Sequence, residues 1–309
     1  EYIVDVLKSQ TDNIAKEDAY TLALFAQDEI KLLRNLQALI GVRYIYHENF
    51  KNHATPNVAL MYKPGKFNFR ASYAAGFRTP TLSELYATDI AKKNDRLTIG
   101  NLDLKPEKNN YFSLSAEYVH ERFSVSVNAF YNNIRDMIDY NTIATGDKAM
   151  EQYGHKEVRQ RDNIAEAKVH GINVSANAYL GAGFNLSGGY THLNTQDVEL
   201  EQPIDKSIKN AYNINAQWAH SWKIYRLNIN LNGRFNSKRF SKSYGYAPEY
   251  QLWDLNTRHS FNLKSVIIEP GCGMENLFDY MDDRPYNSNY ATLTPGRSFY
   301  ISLSLKFKS

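Results

Sequence analysis

Apolar and polar residues alternate with period two in segment after segment of this chain, from about Ala19 to Phe307. In Phe67-Asn68-Phe69-Arg70-Ala71-Ser72-Tyr73 the odd positions are apolar or aromatic and the even ones polar. Phe112, Leu114, Ala116 and Tyr118 alternate with Tyr111, Ser113, Ser115 and Glu117, and Leu227, Ile229 and Leu231 with Asn228, Asn230 and Asn232. Such alternation predicts β-strands with one face in an apolar medium and the other in a polar one. The gaps between segments are short and long in turn. Tight turns are expected near Asn35, at Lys63 to Lys66, His120 to Arg122, Gly181-Ala182, Ala219 to Lys223 and near Asn262. Between them lie longer loops: about ten residues from Glu48, then Phe77 to Lys108, Arg135 to Glu166, His192 to Lys209, Asn236 to Glu249 and Leu277 to Gly296. Antiparallel hairpins with every short turn at one end and every long loop at the other are the layout of a transmembrane β-barrel.

A soluble antiparallel sandwich also alternates. Strand length separates the two. The segments run about 10 to 14 residues, whereas soluble strands average about 5–6 and tilted membrane strands need about 9–11. The non-lipid face, rich in Asn and Ser, suits a hydrated lumen. Thirteen strands are clear, and Tyr2 to Leu7 is a candidate for one more, giving 13 or 14. Barrels with a plugged lumen close at about 22 strands, so roughly eight would lie upstream. Residues 1–309 therefore read as one incomplete domain, the C-terminal part of a barrel. Glu1-Tyr2-Ile3-Val4-Asp5 reads as mid-strand and carries no signal-peptide features.

Composition fits this picture. Mean hydropathy is −0.54, yet 13% of residues are aromatic, with 23 tyrosines. A polar average with many aromatics is expected where one strand face meets lipid, the other meets water, and aromatic girdles mark both interfaces. A net charge of +3 is too small to suggest nucleic acid. The single Cys272 permits no internal disulfide, and there is no zinc-type cysteine cluster or phosphate-binding glycine loop.

Four local motifs carry a resemblance. Tyr73-Ala74-Ala75-Gly76-Phe77-Arg78-Thr79-Pro80 runs from a strand into a long loop, and Gly100-Asn101-Leu102-Asp103-Leu104-Lys105-Pro106-Glu107 precedes the next strand. Phe130-Tyr131-Asn132-Asn133-Ile134-Arg135-Asp136 ends another strand, and Glu275-Asn276-Leu277-Phe278-Asp279 with Pro295-Gly296-Arg297 precedes the last. Together, and in this order, they resemble the TonB-dependent outer-membrane transporters. The resemblance implies an N-terminal plug absent from this chain, energy supplied through TonB, a large scarce nutrient bound at extracellular loops, and residence in the outer membrane. Iron-siderophore or haem is the leading cargo, with cobalamin or an oligosaccharide as alternatives. The haem-transporting branch carries a His between the two boxes, and Thr81 to Gly100 has none. The resemblance also implies that the terminal aromatic strand, ending at Phe307, is read by the barrel assembly machinery.

The residues themselves suggest roles. Pro80 and Pro106 fix their own φ and hold Thr79 and Lys105 extended, ending strand pairing. Arg78 is expected to pair with Glu84, Asp103 or Glu107 and tie the long loop to the rim. Phe77, Thr79, Asn101, Leu102 and Leu104 belong to the same structural boxes. For ligand contact the candidates are Tyr153 with His155, because phenolate and imidazole both bind haem iron, and Arg239, Lys242, Tyr244 and Tyr246, whose charges and rings suit an anionic chelate. That second loop also suits contact with anionic lipopolysaccharide. Asp279, Asp282 and Asp283 are a weaker calcium candidate than a solvated acidic turn. No enzyme motif is readable, and neither a resident metal nor a cofactor is expected. A passive porin or adhesin remains the other class.

Overall fold

The computed structural model describes residues 1–9, 14–92, 94–163, 166–241, 245–282 and 295–308. Its main sheet has fourteen antiparallel strands, each hydrogen-bonded to the next. They are β1 (Tyr2–Ser9), β2 (Ile14–Leu33), β3 (Leu36–His47), β4 (Lys51–Tyr62), β5 (Phe67–Arg78), β8 (Glu107–Val119), β9 (Phe123–Arg135), β12 (Ala167–Gly181), β13 (Phe184–Asp197), β14 (Asn210–Trp222), β15 (Tyr225–Asn236), β18 (Tyr250–Asn262), β19 (Val266–Glu275) and β20 (Ser298–Phe307). The long loops hold further elements: α1 (Leu82–Tyr86), β6 (Thr88–Ala91) and β7 (Arg96–Ile99) before β8; β10 (Ile138–Thr145), α2 (Gly146–Tyr153) and β11 (Glu157–Asn163) before β12; and β16 (Arg239–Ser241) with β17 (Gly245–Ala247) before β18.

The register shows why the pattern folds this way. Leu114 lies opposite Ala71 and Ala129, and Leu231 opposite Ala216 and Leu255, so the apolar positions of successive strands share one face. That face is exposed in the isolated chain, as for Leu114 and Leu303, which is where lipid belongs. Two bands of rings cross it. The loop-side band includes Tyr73 with Phe112 and Tyr190 with Tyr212, at centroid distances of 4.9 and 4.6 Å. The turn-side band includes Phe67 with Tyr118 and Tyr225 with Phe261, at 4.8 and 5.0 Å. These are the girdles of a membrane barrel. The other face is polar and cross-linked: Ser72 meets Ser113 at 2.6 Å, Ser126 meets Ser175 at 2.7 Å, and Asn215 Nδ2 donates to Asn232 Oδ1 at 2.5 Å.

Three loop expectations change. The loop expected from His192 begins only at Val198, because β13 stays paired with β12 as far as Asp197. The loop from Glu48 is three residues long, because pairing resumes at Lys51 opposite His47. Strands need no apolar face where they rise above the bilayer, so polar Lys51-Asn52-His53 still alternates as strand. At the other end β14 continues to Trp222, whose ring stacks on Tyr225 at 5.5 Å, and the turn is Lys223-Ile224 rather than Ala219 to Lys223. Most of the Leu277 to Gly296 loop lies outside the described residues. No described helix is long and apolar enough to cross a membrane, which says nothing of spanning strands.

Candidate functional site

Every long loop leaves the same end of the sheet, and their described strands make a four-stranded sheet and a two-stranded one. Below the four-stranded sheet is a charged clamp. Arg78, last residue of β5, lies opposite Glu107, first residue of β8. The guanidinium Nε donates to Glu107 Oε2 at 2.8 Å and Nη1 to Glu84 Oε2 at 2.9 Å. Glu107 Oε1 also accepts from the Ile138 amide at 2.9 Å, so one carboxylate holds the starts of both large loops. Burial pushes the Glu84 and Glu107 carboxyls up, but the Arg78 hydrogen bonds, backbone donors and the Arg78 charge outweigh it and hold both below the ordinary carboxylate range. The Glu107 hydrogen bond raises the Arg78 pKa in turn. Asp103, the third partner considered, is not used.

Helix α1 starts at this clamp because Thr81 and Glu84 form a capping box. Thr81 Oγ1 accepts from the Glu84 amide at 3.2 Å, and Glu84 Oε2 accepts from the Thr81 amide at 2.8 Å. The helix lies against β1 and β2, and Pro80, Leu82 and Leu85 are buried. Phe77 is paired with Lys108, and Thr79 follows the strand end. In the second box, Asn101 Oδ1 accepts from the Asp103 amide at 2.9 Å, while Leu104 packs with Leu85 and Ile138. Leu102 stays exposed. Pro106 ends the loop next to Lys105, whose amide donates to Asn163 Oδ1 at 2.7 Å. Gly100 is required sterically, since a Cβ there would stand 2.6 Å from the Leu85 carbonyl oxygen.

Above the clamp the two loops merge into one four-stranded sheet, ordered β10-β11-β7-β6. The join is a parallel pairing of β11 with β7. One face packs Val158, Ala144 and Ala149 against Leu97, Ile99 and Tyr153. His155 adds a clip across the loops: its Nδ1 lies 2.9 Å from Asp95 Oδ1. Tyr153 is thus packed on an apolar core, and His155 is paired with Asp95.

The opposite face of this sheet was not anticipated. Register places Arg96, Thr98, Arg159, Arg161, Tyr140 and Thr142 on it. The Arg161 guanidinium lies 3.8 Å from the Tyr140 ring centroid, Arg159 Nε donates to Glu157 Oε1 at 2.6 Å, and Arg96 Nε is buried with no hydrogen-bond partner. The signal was present in the alternation of Glu157-Val158-Arg159-Gln160-Arg161, which reads as a two-faced strand inside a presumed loop.

Arg239 begins β16, paired with Ala247 of β17, and Tyr246 is exposed with its ring 5.3 Å from Phe240. Lys242 and Tyr244 lie outside the described residues, as does Asp283. Arg239 and Tyr246 thus lie on a different sheet from the one against which Tyr153 packs. Asp279 Oδ1 accepts from the Arg297 amide at 2.7 Å, and among the described residues no three acidic, His or Cys side chains cluster to hold a metal. Phe307 ends β20 on the apolar face, and Lys308 beyond it donates to the Ser265 carbonyl, which places the last strand's end beside a short turn.

A family model described as TonB dependent receptor-like, beta-barrel matches residues 3–277. Among solved structures, the ferric enterobactin receptor of Pseudomonas aeruginosa is 20% identical with a TM-score of 0.76, over 96% of this chain and 46% of that one. The siderophore receptor PirA of Pseudomonas aeruginosa is 17% identical with a TM-score of 0.75, over 100% of this chain and 52% of that one. The ferric preacinetobactin receptor of Acinetobacter baumannii is 18% identical with a TM-score of 0.67, over 94% and 43%. The chain spans about half the length of these structures.

Proposed function

This chain belongs to the TonB-dependent receptor β-barrel family, and from that premise we propose that it serves in outer-membrane uptake of an anionic iron–siderophore complex. The observation that carries the reading is the arginine face at the loop end: Arg96, Arg159 and Arg161 beside Tyr140, on a sheet built from two loops. Guanidinium groups and aromatic rings together suit a flat, negatively charged chelate, through charge-assisted hydrogen bonds and cation–π contact. The relatives named as siderophore receptors support the same cargo class. In this reading the long loops lie outside the cell and the short turns in the periplasm. Arg239, Lys242, Tyr244 and Tyr246 form a second contact zone, and Tyr153 and His155 shape the loop sheet. The function is transport, with no bond made or broken. A plug and TonB supply the energised step, and the assembly machinery inserts the barrel.

The test uses the full-length, plug-containing protein and a ferric tris-catecholate, followed by quenching of tryptophan fluorescence. Arg159→Ala with Arg161→Ala is expected to weaken binding about tenfold, and by less at high salt because exposed charges are screened beyond about 10 Å at 0.1 M. Arg239→Ala with Lys242→Ala should act in the same direction. Changing Glu121 and Arg122 at a short turn should leave affinity unchanged. If the turn changes weaken binding and the loop changes do not, the orientation is wrong. If haem or an oligosaccharide binds and the catecholate does not, the cargo class is wrong.

A further inference from the structure

The arginine face of the loop sheet carries acids as well, and one of them holds an arginine in place. Register sets the face in rows across the four strands. One row is Ala91, Arg96, Glu157 and Thr145, and the next is Asp89, Thr98, Arg159 and Thr142. Beyond them Arg161 faces Tyr140. Glu157 thus stands directly opposite Arg96 and beside Arg159 on the same face. Among the described residues its carboxylate bonds Arg159 alone, Oε1 accepting from Nε at 2.6 Å. Asp89 is exposed and has no ion pair among the described residues.

The point of attachment decides what is left for a ligand. An arginine presents a planar fork of N–H donors, on Nε and on both Nη atoms. Glu157 takes the Nε hydrogen. Among the described residues neither Nη of Arg159 has a partner, so the outer edge of its fork stays open at a fixed angle. The pair is partly sheltered, with 30% of the Arg159 side chain and 26% of the Glu157 side chain exposed, so water screens the contact less than at an open surface. Arg161 is held differently. Its guanidinium lies 3.8 Å from the ring centroid of Tyr140, its direct neighbour across β10 and β11. A ring contact consumes no N–H donor, and among the described residues no hydrogen bond occupies the Arg161 fork.

We propose that Glu157 and Tyr140 are positioning residues, each fixing one arginine fork before the ferric chelate arrives. A long side chain ordered in advance need not be ordered by the ligand, which is worth roughly threefold in affinity. For Glu157 the sign is opposite to what charge alone requires. An acid on a cationic face lowers its potential and should weaken the binding of an anion. As the anchor of Arg159, Glu157 strengthens it. Both roles rest on this face being where an anionic ferric chelate binds.

The test takes the full-length, plug-containing protein and the ferric tris-catecholate, read by tryptophan quenching. Glu157→Ala is expected to weaken binding about threefold although it removes a negative charge. Glu157→Gln, whose carbonyl oxygen still accepts from Nε, should bind at least as tightly as wild type. Asp89→Ala removes a second acid from the same face without releasing an arginine, and should bind no more weakly than wild type. Tyr140→Leu is expected to weaken binding about threefold, and Tyr140→Phe, which keeps the ring, to match wild type. Crystal structures of the ligand-free wild type, Glu157→Ala and Tyr140→Leu proteins supply a readout that needs no cargo. Arg159 and Arg161 should each hold one rotamer in the first and leave it when their anchor is removed. Folding of each variant is checked by the heat-dependent gel shift. If Glu157→Ala does not fold, Arg159→Lys is scored instead; it keeps the charge, lacks the fork and should bind about threefold more weakly. Equal or tighter binding by Glu157→Ala, wild-type binding by Arg159→Lys, equal weakening by Glu157→Gln or Asp89→Ala, or an Arg159 side chain that stays in place in Glu157→Ala overturns the role of Glu157. Unchanged binding by Tyr140→Leu, or an unmoved Arg161 in it, overturns that of Tyr140. If wild-type protein does not bind the catecholate, the cargo reading fails by itself, and the ligand-free structures decide the positioning.

Discussion

Arg78 holds Glu107, its direct cross-strand neighbour, through both carboxylate oxygens, with Nε to Oε2 at 2.8 Å and Nη2 to Oε1 at 2.5 Å. The same carboxylate receives the Ile138 amide, so the contact fastens two loops that leave different strands. Glu107→Gln keeps the shape and removes the charge. It is expected to cost on the order of 1–2 kcal/mol of local stability, at the low end of values for a charged hydrogen bond because the Arg78 side chain is 42% exposed. Hydrogen exchange should speed up in residues 79–106 and 136–166 together. Faster exchange confined to one loop would sink the shared-clamp account.

Acid should loosen this clamp. Glu84 and Glu107 have depressed pKa values in the folded protein, so the folded state binds fewer protons than the unfolded state as the pH falls. Their contribution is complete above the ordinary carboxylate value of about 4.3 and is lost as pH falls through the lower folded values. Protease cleavage within 79–106 should stay slow from neutral pH down to about 5 and rise below about 4. Glu107→Gln should flatten that rise.

The two strand faces should respond oppositely to charge. Leu231 points outward between Ala216 and Leu255, whereas Asn230 points into the lumen and accepts from Asn232. Leu231→Arg is expected to cost roughly 2–4 kcal/mol on folding into lipid vesicles, and Asn230→Arg much less. Equal costs would refute the assignment of faces.

Phe307 is the last outward aromatic, opposite Val266 at the turn end of the barrel. Phe307→Ala in the full-length protein is expected to lower the amount of heat-modifiable barrel in the membrane. Unchanged levels would remove its role in assembly.

His155 and Asp95 clip β7 to the turn before β11. Asp95→Ala should free that edge and accelerate exchange at the Lys156 amide, which donates to the Asp95 carbonyl at 3.0 Å. The barrel strands below should not change. A general rise across β8 and β9 would show that the clip acts on the whole wall.

The barrel wall was legible because its chemistry repeats at the period of the strand. Phe112 to Tyr118 and Leu227 to Leu231 announce their faces without reference to any other part of the chain, and Arg78 was matched to acids close at hand in the rim boxes. What stayed hidden depends on distant pairing. β7 and β11 are each short, and Val158 becomes a core residue only when Leu97 and Ile99 arrive from another loop. Arg159 and Arg161 gain a shared face only through that same pairing, so a linear reading of the loop sees charges without a surface. The strand at Lys51 is hidden for a different reason: hydrogen bonding continues there after hydrophobicity stops.

The parallel pairing of β7 with β11 also bears on how such a chain can change over generations. The two loops straddle the β8–β9 hairpin and meet over it, so the strap they form has a fixed span. A residue inserted into either loop shifts the register of the other. Lengths of 79–106 and 136–166 should therefore drift together among descendants of this sequence, while 198–209, which joins no strand of that sheet, is tied instead to β16 through the bridge of Ile208 with Arg239.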